Sequence, residues 1–132
     1  MKRHYEKFKE KFALKGRLWR EKMRRENPQV LFLYDKRRRC KKRGITVTEF
    51  DSIIHAQGYK CAVCGTTNPG NKKDWSIDHD HFTNKHRGLL CGQCNVGLGM
   101  FRDSTAVLRC AAEYLDAWSQ KNTLSKSGDT NG

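Results

Sequence analysis

Long apolar runs are missing from this chain of 132 residues, and apolar residues make up only 36% of it. The charged start, Met1-Lys2-Arg3-His4-Tyr5-Glu6, leads into no apolar h-region; the longest apolar stretch nearby is Val30 to Tyr34. That excludes a readable secretory leader and a membrane span, which takes ~20 apolar residues. The expectation is a cytoplasmic protein whose thiols stay reduced. A disulfide framework is also absent from the pattern, since four of the six cysteines fall in CxxC pairs, the spacing of metal binding. No internal repeat is visible beyond those pairs. The length suits one domain with a modest core and some appendages.

Beyond residue 43 there is no excess charge. Residues 1 to 43 hold 18 Lys and Arg against 5 Asp and Glu, whereas residues 44 to 132 hold 9 of each, so the net +13 belongs to the N-terminal third. Such an arm calls for a polyanion, and nucleic acid suits it better than a membrane because the arm has no long apolar face to bury in lipid. A solvated charge run that only aids solubility is the plainer alternative.

Within the arm, Tyr5, Phe8, Phe12, Trp19 and Met23 recur at helical spacing, interrupted near Gly16 and ended by Pro28. That spacing makes Phe8, Phe12 and Trp19 a helix-packing face rather than base-stacking groups. The cluster Lys36, Arg37, Arg38, Arg39, Lys41, Lys42 and Arg43 follows, helical or ordered on binding. Cys40 inside it is a candidate for a lowered thiol pKa, against the simpler reading of an incidental thiol.

Thr46 and Glu49 have capping-box spacing, Ile45 and Phe50 that of a hydrophobic staple, and Gly58 is a natural helix stop. Trp75 and Ile77 alternate with Ser76 and Asp78, and Arg87-Gly88-Leu89-Leu90 is a second short run, which gives a β-hairpin. A helix begins near Asn95. A last helix, capped by Asp103 or Ser104, repeats Val107, Cys110, Ala111, Tyr114, Leu115 and Trp118 on one face, expected to pack on the core with Cys110 as filling. The polar residues 119–132 read as a disordered tail.

Cys61-Ala-Val-Cys64 and Cys91-Gly-Gln-Cys94 are two tight turns that can aim four sulfurs at one ion, the closed tetrahedral shell that structural Zn²⁺ prefers. The 65–90 segment between them is longer than the ~15–20 residues of common zinc ribbons. It holds Asp78-His79-Asp80-His81. Asp78, with Asn95 directly after Cys94, offers hard oxygen ligands suited to Mg²⁺, and His79 is suited to general base. Asp78 and His79 would point to opposite faces of a regular strand, so a bend or bulge is expected between them. A second zinc site, or a polar turn whose histidines cap backbone, would also account for this segment.

Read together, Cys61-Ala-Val-Cys64-Gly65, Ile77-Asp78-His79-Asp80-His81, Arg87-Gly88-Leu89-Leu90-Cys91 and Cys94-Asn95 resemble the recombination endonuclease VII family of HNH (His-Me finger) nucleases of phages and bacteria. The resemblance implies an α+β fold, a zinc-stapled ββα-metal core with flanking helices and a basic helical arm. It implies DNA cleavage with a divalent cation, Mg²⁺ or Mn²⁺, held by Asp78 and Asn95, with His79 as general base and His81 assisting at the phosphate. It also leaves a homodimer open, and places a phage-encoded member in the host cytoplasm. The chain then divides into a DNA-binding arm over 1–43, a nuclease domain over 44–118 and the tail over 119–132. DNA is the expected partner, through Lys36, Arg37, Arg38, Arg39, Lys41, Lys42, Arg43 and Arg87. The members that resolve branched DNA carry long dimerisation helices and a further C-terminal region, so junction specificity does not follow from the motif. The rival reading is a zinc-containing nucleic-acid-binding protein without catalysis.

Overall fold

The computed structural model describes residues 2–70 and 74–126, with side chains described over 5–70 and 74–120. In chain order the elements are α1 (Lys2–Glu26), α2 (Pro28–Lys42), α3 (Val47–Ala56), β1 (Ser76–His79), β2 (His86–Leu90), α4 (Gly92–Met100) and α5 (Thr105–Lys126). Strands β1 and β2 form a two-stranded sheet, so the chain is α+β with the ββα order of elements in its second half. Two units can be told apart: the chain up to Tyr59 with Ile77–Leu89, and Lys60–Ser76 with the chain from Leu90 on.

In the first unit α1 runs unbroken through Gly16. A helical glycine costs only about 1 kcal/mol relative to alanine, too little to break a helix of 25 residues. Pro28 sits in the first turn of α2, where a missing N–H is no loss. Trp19 meets Tyr34 edge to face at 4.9 Å, joining α1 to α2 as the helical spacing predicts. Phe8 and Phe12 touch each other at 4.6 Å but stay more than half exposed.

The ends of α2 and α3 obey one rule. Gly44, at φ 69°, donates to Lys41 O while Ile45 N donates to Cys40 O; Gly58, at φ 63°, donates to His55 O while Tyr59 N donates to Ile54 O. These are paired Schellman bonds, and the left-handed residue they require is cheapest as glycine. At the start of α3 the capping box is complete: Glu49 N donates to Thr46 Oγ1 at 3.1 Å and Thr46 N to Glu49 at 2.6 Å. Ile45 and Phe50 are buried, as the staple requires.

The first unit's core is Cys40, Ile45, Phe50, Ile54 and Leu89, with Phe50 and Leu89 essentially sealed. Burying side chains of that size is worth about 1.5–3 kcal/mol each. Cys40 is 1% exposed, in keeping with the simpler of its two readings: it is core filling at the Schellman turn rather than a reactive thiol. Gln57 bonds the backbone of Leu89 twice, Nε2 to O and N to Oε1, both at 2.9 Å, and so satisfies the outer edge of β2 as a neighbouring strand would.

Two expectations about the C-terminal part are corrected. Helix α4 starts at Gly92, not near Asn95, because the Cys91 sulfur accepts from Cys94 N and serves as the cap. Helix α5 has an exposed Cys110, and Val107, Tyr114, Leu115 and Trp118 on its apolar face are 48–75% exposed rather than packed on the core. It also continues through Ser119 to Lys126, into the stretch expected to be disordered, because nothing in 119–126 breaks a helix. Residues 127–132 of that stretch lie outside the described residues.

Candidate active site and metal centre

The hairpin in the first unit carries Asp78, His79 and His81. Its turn is built by Asp80, whose Oδ1 accepts from Phe82 N at 2.9 Å, Thr83 N at 2.7 Å and Thr83 Oγ1 at 3.0 Å. Those bonds, the Thr83 backbone N–H first, hold the Asp80 carboxyl below the usual carboxylate range. A depressed carboxylate stabilises the fold above its unfolded pKa and loses that contribution as pH falls through its folded value. Asp80→Ala is therefore expected to speed hydrogen exchange at the Phe82 and Thr83 amides at neutral pH. The difference from the parent should vanish in acid, and equal exchange rates at neutral pH would refute the assignment.

Asp78 and His79 are the last two residues of β1. The two side chains go to different partners. Asp78, 9% exposed, is gripped by the Arg87 fork, Nε to Oδ2 at 2.7 Å and Nη2 to Oδ1 at 3.0 Å. A carboxylate this buried needs such a partner. His79 Nε2 lies 2.9 Å from Arg43 Nη1, and its ring meets the exposed His81 edge-on at 4.9 Å. Burial, then the charges of Arg43 and His81, hold the His79 imidazole below its ordinary value. It is thus a neutral base at neutral pH.

Helix α2 sorts its basic residues by face. Lys36, Cys40 and Arg43 recur at i, i+4 and i+7 and turn inward; Arg37, Arg38, Lys41 and Lys42 are exposed together on another face. Lys36 pairs with Asp51 at 2.7 Å and lies 4.3 Å over the Phe50 ring, with its side chain 12% exposed. Counted with the DNA-binding cluster by sequence, it instead ties α2 to α3. Arg43 and Arg87 are held by His79 and Asp78 as described.

In the second unit Cys61, Cys64, Cys91 and Cys94 bring their sulfurs within 4.8 Å of one another. Four thiolates at ~2.3 Å from one tetrahedral ion would stand roughly 3.8 Å apart. Cys64 Sγ and Cys91 Sγ are 3.8 Å apart, so the set fits a metal. Burial pushes the Cys61 thiol up, but N–H groups of Cys64, Cys91 and Val63 and the Cys64 thiol outweigh it and bring it down to about 6. Burial and then the neighbouring thiols push Cys94 far up. Crowded sulfurs cannot all ionise unaided, and a bound cation removes that conflict. Gly92, inside the second CxxC, donates its N–H to Pro69 O at 2.9 Å.

Among the described residues the cysteines are the one group of three or more such ligands, so Asp78-His79-Asp80-His81 does not converge as a second zinc site. Asp78 alone is still a fitting donor for a hard cation that takes one or two protein oxygens. Asn95 lies in the first turns of α4, in the second unit. What the sequence reading missed is Arg43 as the partner of His79 and Gln57 as the partner of β2. Arg43 was visible only as one basic residue among many, since 36 positions separate it from His79.

Residues 36–117 match the family model described as recombination endonuclease VII. Two curated relatives, each called Gene 59 protein, come from Mycobacterium phages D29 and L5; they are 45% and 47% identical over 73 residues, 54% of this chain and 44% of each relative. The chain thus spans less than half the length of the curated relatives it matches. The crystal structure of the ββα-Me type II restriction endonuclease Hpy99I is similar at a TM-score of 0.43 and 31% identity, over 54% of this chain and 39% of that one. No described helix is long and apolar enough to cross a membrane.

Proposed function

Because the chain belongs to the recombination endonuclease VII family, we propose that it is an HNH-type nuclease hydrolysing phosphodiester bonds of duplex or branched DNA. The observation that carries this reading is Asp78 and His79 in succession on β1, a buried carboxylate beside a neutral imidazole, each paired with an arginine, inside the matched stretch. His79 takes the proton of the attacking water, and His81 assists at the phosphate. Asp78 is the proposed ligand of Mg²⁺ or Mn²⁺, with Asn95 as a second oxygen donor. Such a cation, when bound, stabilises charge on the scissile phosphate and the leaving oxygen. The cysteines hold a structural Zn²⁺ with no position open for water.

Incubation of the intact protein with supercoiled plasmid and Mg²⁺ or Mn²⁺ should give nicked and linear products, and Asp78→Ala should not. An uncut plasmid with both cations would leave only a zinc-containing DNA-binding protein. The exposed face of α2 supplies the backbone contacts in this reading. Replacing Arg37, Arg38, Lys41 and Lys42 together with alanine should lower the slope of log affinity against log salt by roughly 2–4, at ~0.9 per phosphate contact on duplex DNA. An unchanged slope would remove α2 from the interface.

A further inference from the structure

The side chain that contacts the proposed base is not from the hairpin but from the end of the basic helix. Arg43 is the C-cap of α2, its N–H donating to Arg39 O and Cys40 O, and Gly44 and Ile45 behind it make the Schellman bonds that end the helix. The backbone is therefore fixed where Arg43 leaves it. From there Nη1 reaches His79 Nε2 at 2.9 Å, and the side chain is half-buried.

Guanidinium donates and cannot accept. The Nε2 atom facing it must therefore be the unprotonated nitrogen, and the neutral ring carries its proton on Nδ1. The consequence is chemical: the only lone pair His79 could offer to a water is the one that Arg43 occupies. A phosphate oxygen is a stronger acceptor for arginine than a neutral imidazole, because both partners are then charged and the planar guanidinium can bond two phosphate oxygens at once. Arg37, Arg38, Lys41 and Lys42, exposed on the same helix, would bring a phosphate backbone to that region.

Resting on the nuclease reading above, the geometry points to Arg43 as the residue that couples backbone binding to the base: in the free protein it covers Nε2 of His79, and on DNA it transfers to the phosphate, uncovering Nε2 for water. Arg43 then serves twice. It keeps the base occupied away from substrate, and at the substrate it donates to the oxygen on which charge builds. The other charged and titratable neighbours of the ring are His81, Asp78 and Arg87, of which Asp78 and Arg87 are committed to each other.

Two measurements test this together. Long-range ¹⁵N–¹H correlation of the histidine rings, at a pH where imidazole is neutral, should show the His79 proton on Nδ1 in the parent protein with Nε2 at the shift of a hydrogen-bonded acceptor, and in Arg43→Ala should move Nε2 to the shift of an unprotonated nitrogen open to water. A short duplex added to the parent without a divalent cation should move its pattern toward that of the variant. In cleavage assays Arg43→Ala should lose about 100-fold in kcat, the scale of one lost transition-state donor, with KM changed far less, and Arg43→Lys should recover part of it. The inference is overturned by an Arg43→Ala protein whose His79 Nε2 resonance is that of the parent, or by one that cleaves within about threefold of the parent while His79→Ala is inactive. Cleavage by His79→Ala at the parent rate would instead sink the nuclease reading itself.

Discussion

His79→Ala is expected to lower kcat for DNA cleavage by about 10²–10⁴-fold, the range over which a positioned base contributes, while binding of uncut duplex changes little. The ring is half-buried at the end of β1 and its partners are Arg43 and His81, so its removal costs the hairpin no core contact. The loss should therefore appear in kcat and leave the thermal transition close to that of the parent. The pH profile supplies a second reading. Burial and the charges of Arg43 and His81 favour the neutral ring, which is the competent form of a base. In kcat/KM, which reports the free protein with Arg43 on the ring, activity should be present at neutral pH, persist as pH falls through the ordinary imidazole range, and drop only below it. A profile whose acid limb is untouched in His79→Ala, or a variant that cuts at the parent rate, would falsify the assignment.

How much of this was legible in the sequence depends on the range of the interaction. Thr46, Glu49 and Gly58 act on backbone within a turn of themselves, and the structure uses all three where spacing puts them. The CxxC pairs are also local, and each delivers two sulfurs to one cluster. Composition could locate the charge but not sort it. Lys36 and Arg37 are neighbours in sequence, yet one lies over Phe50 and the other faces solvent, because a helix turns each successive side chain by about 100° and only packing says which side is inside. The start of α4 was misplaced for a chemical reason: Cys91 is a poor cap by propensity, but its sulfur is already held at the site by the other cysteines. The apolar stripe of α5 was correct as a pattern, and its spacing could not say whether a partner surface lies against it.

The cysteine site gives the largest expected effect on stability. Among the described residues of the second unit, only Cys61, Trp75, Leu90 and Cys91 are buried. Sealing a tryptophan and a leucine yields a few kcal/mol at about 25 cal/mol per Å², whereas ordering each residue costs about 1.5 kcal/mol. An apolar core so small does not offset that cost for the loops over Lys60–Ser76, and ion binding on the order of 10 kcal/mol, as in zinc-finger peptides, supplies the difference. Protein purified under reducing conditions should carry one Zn²⁺ per chain. Cys94→Ser, or a strong chelator, should release it and expose Trp75, the buried tryptophan, shifting its emission to the red. Acidification works in the same direction, since protons compete with the ion for the four thiolates. Zinc-free protein that keeps Trp75 buried would show that the sulfurs cluster without a metal and that the fold is held by packing alone.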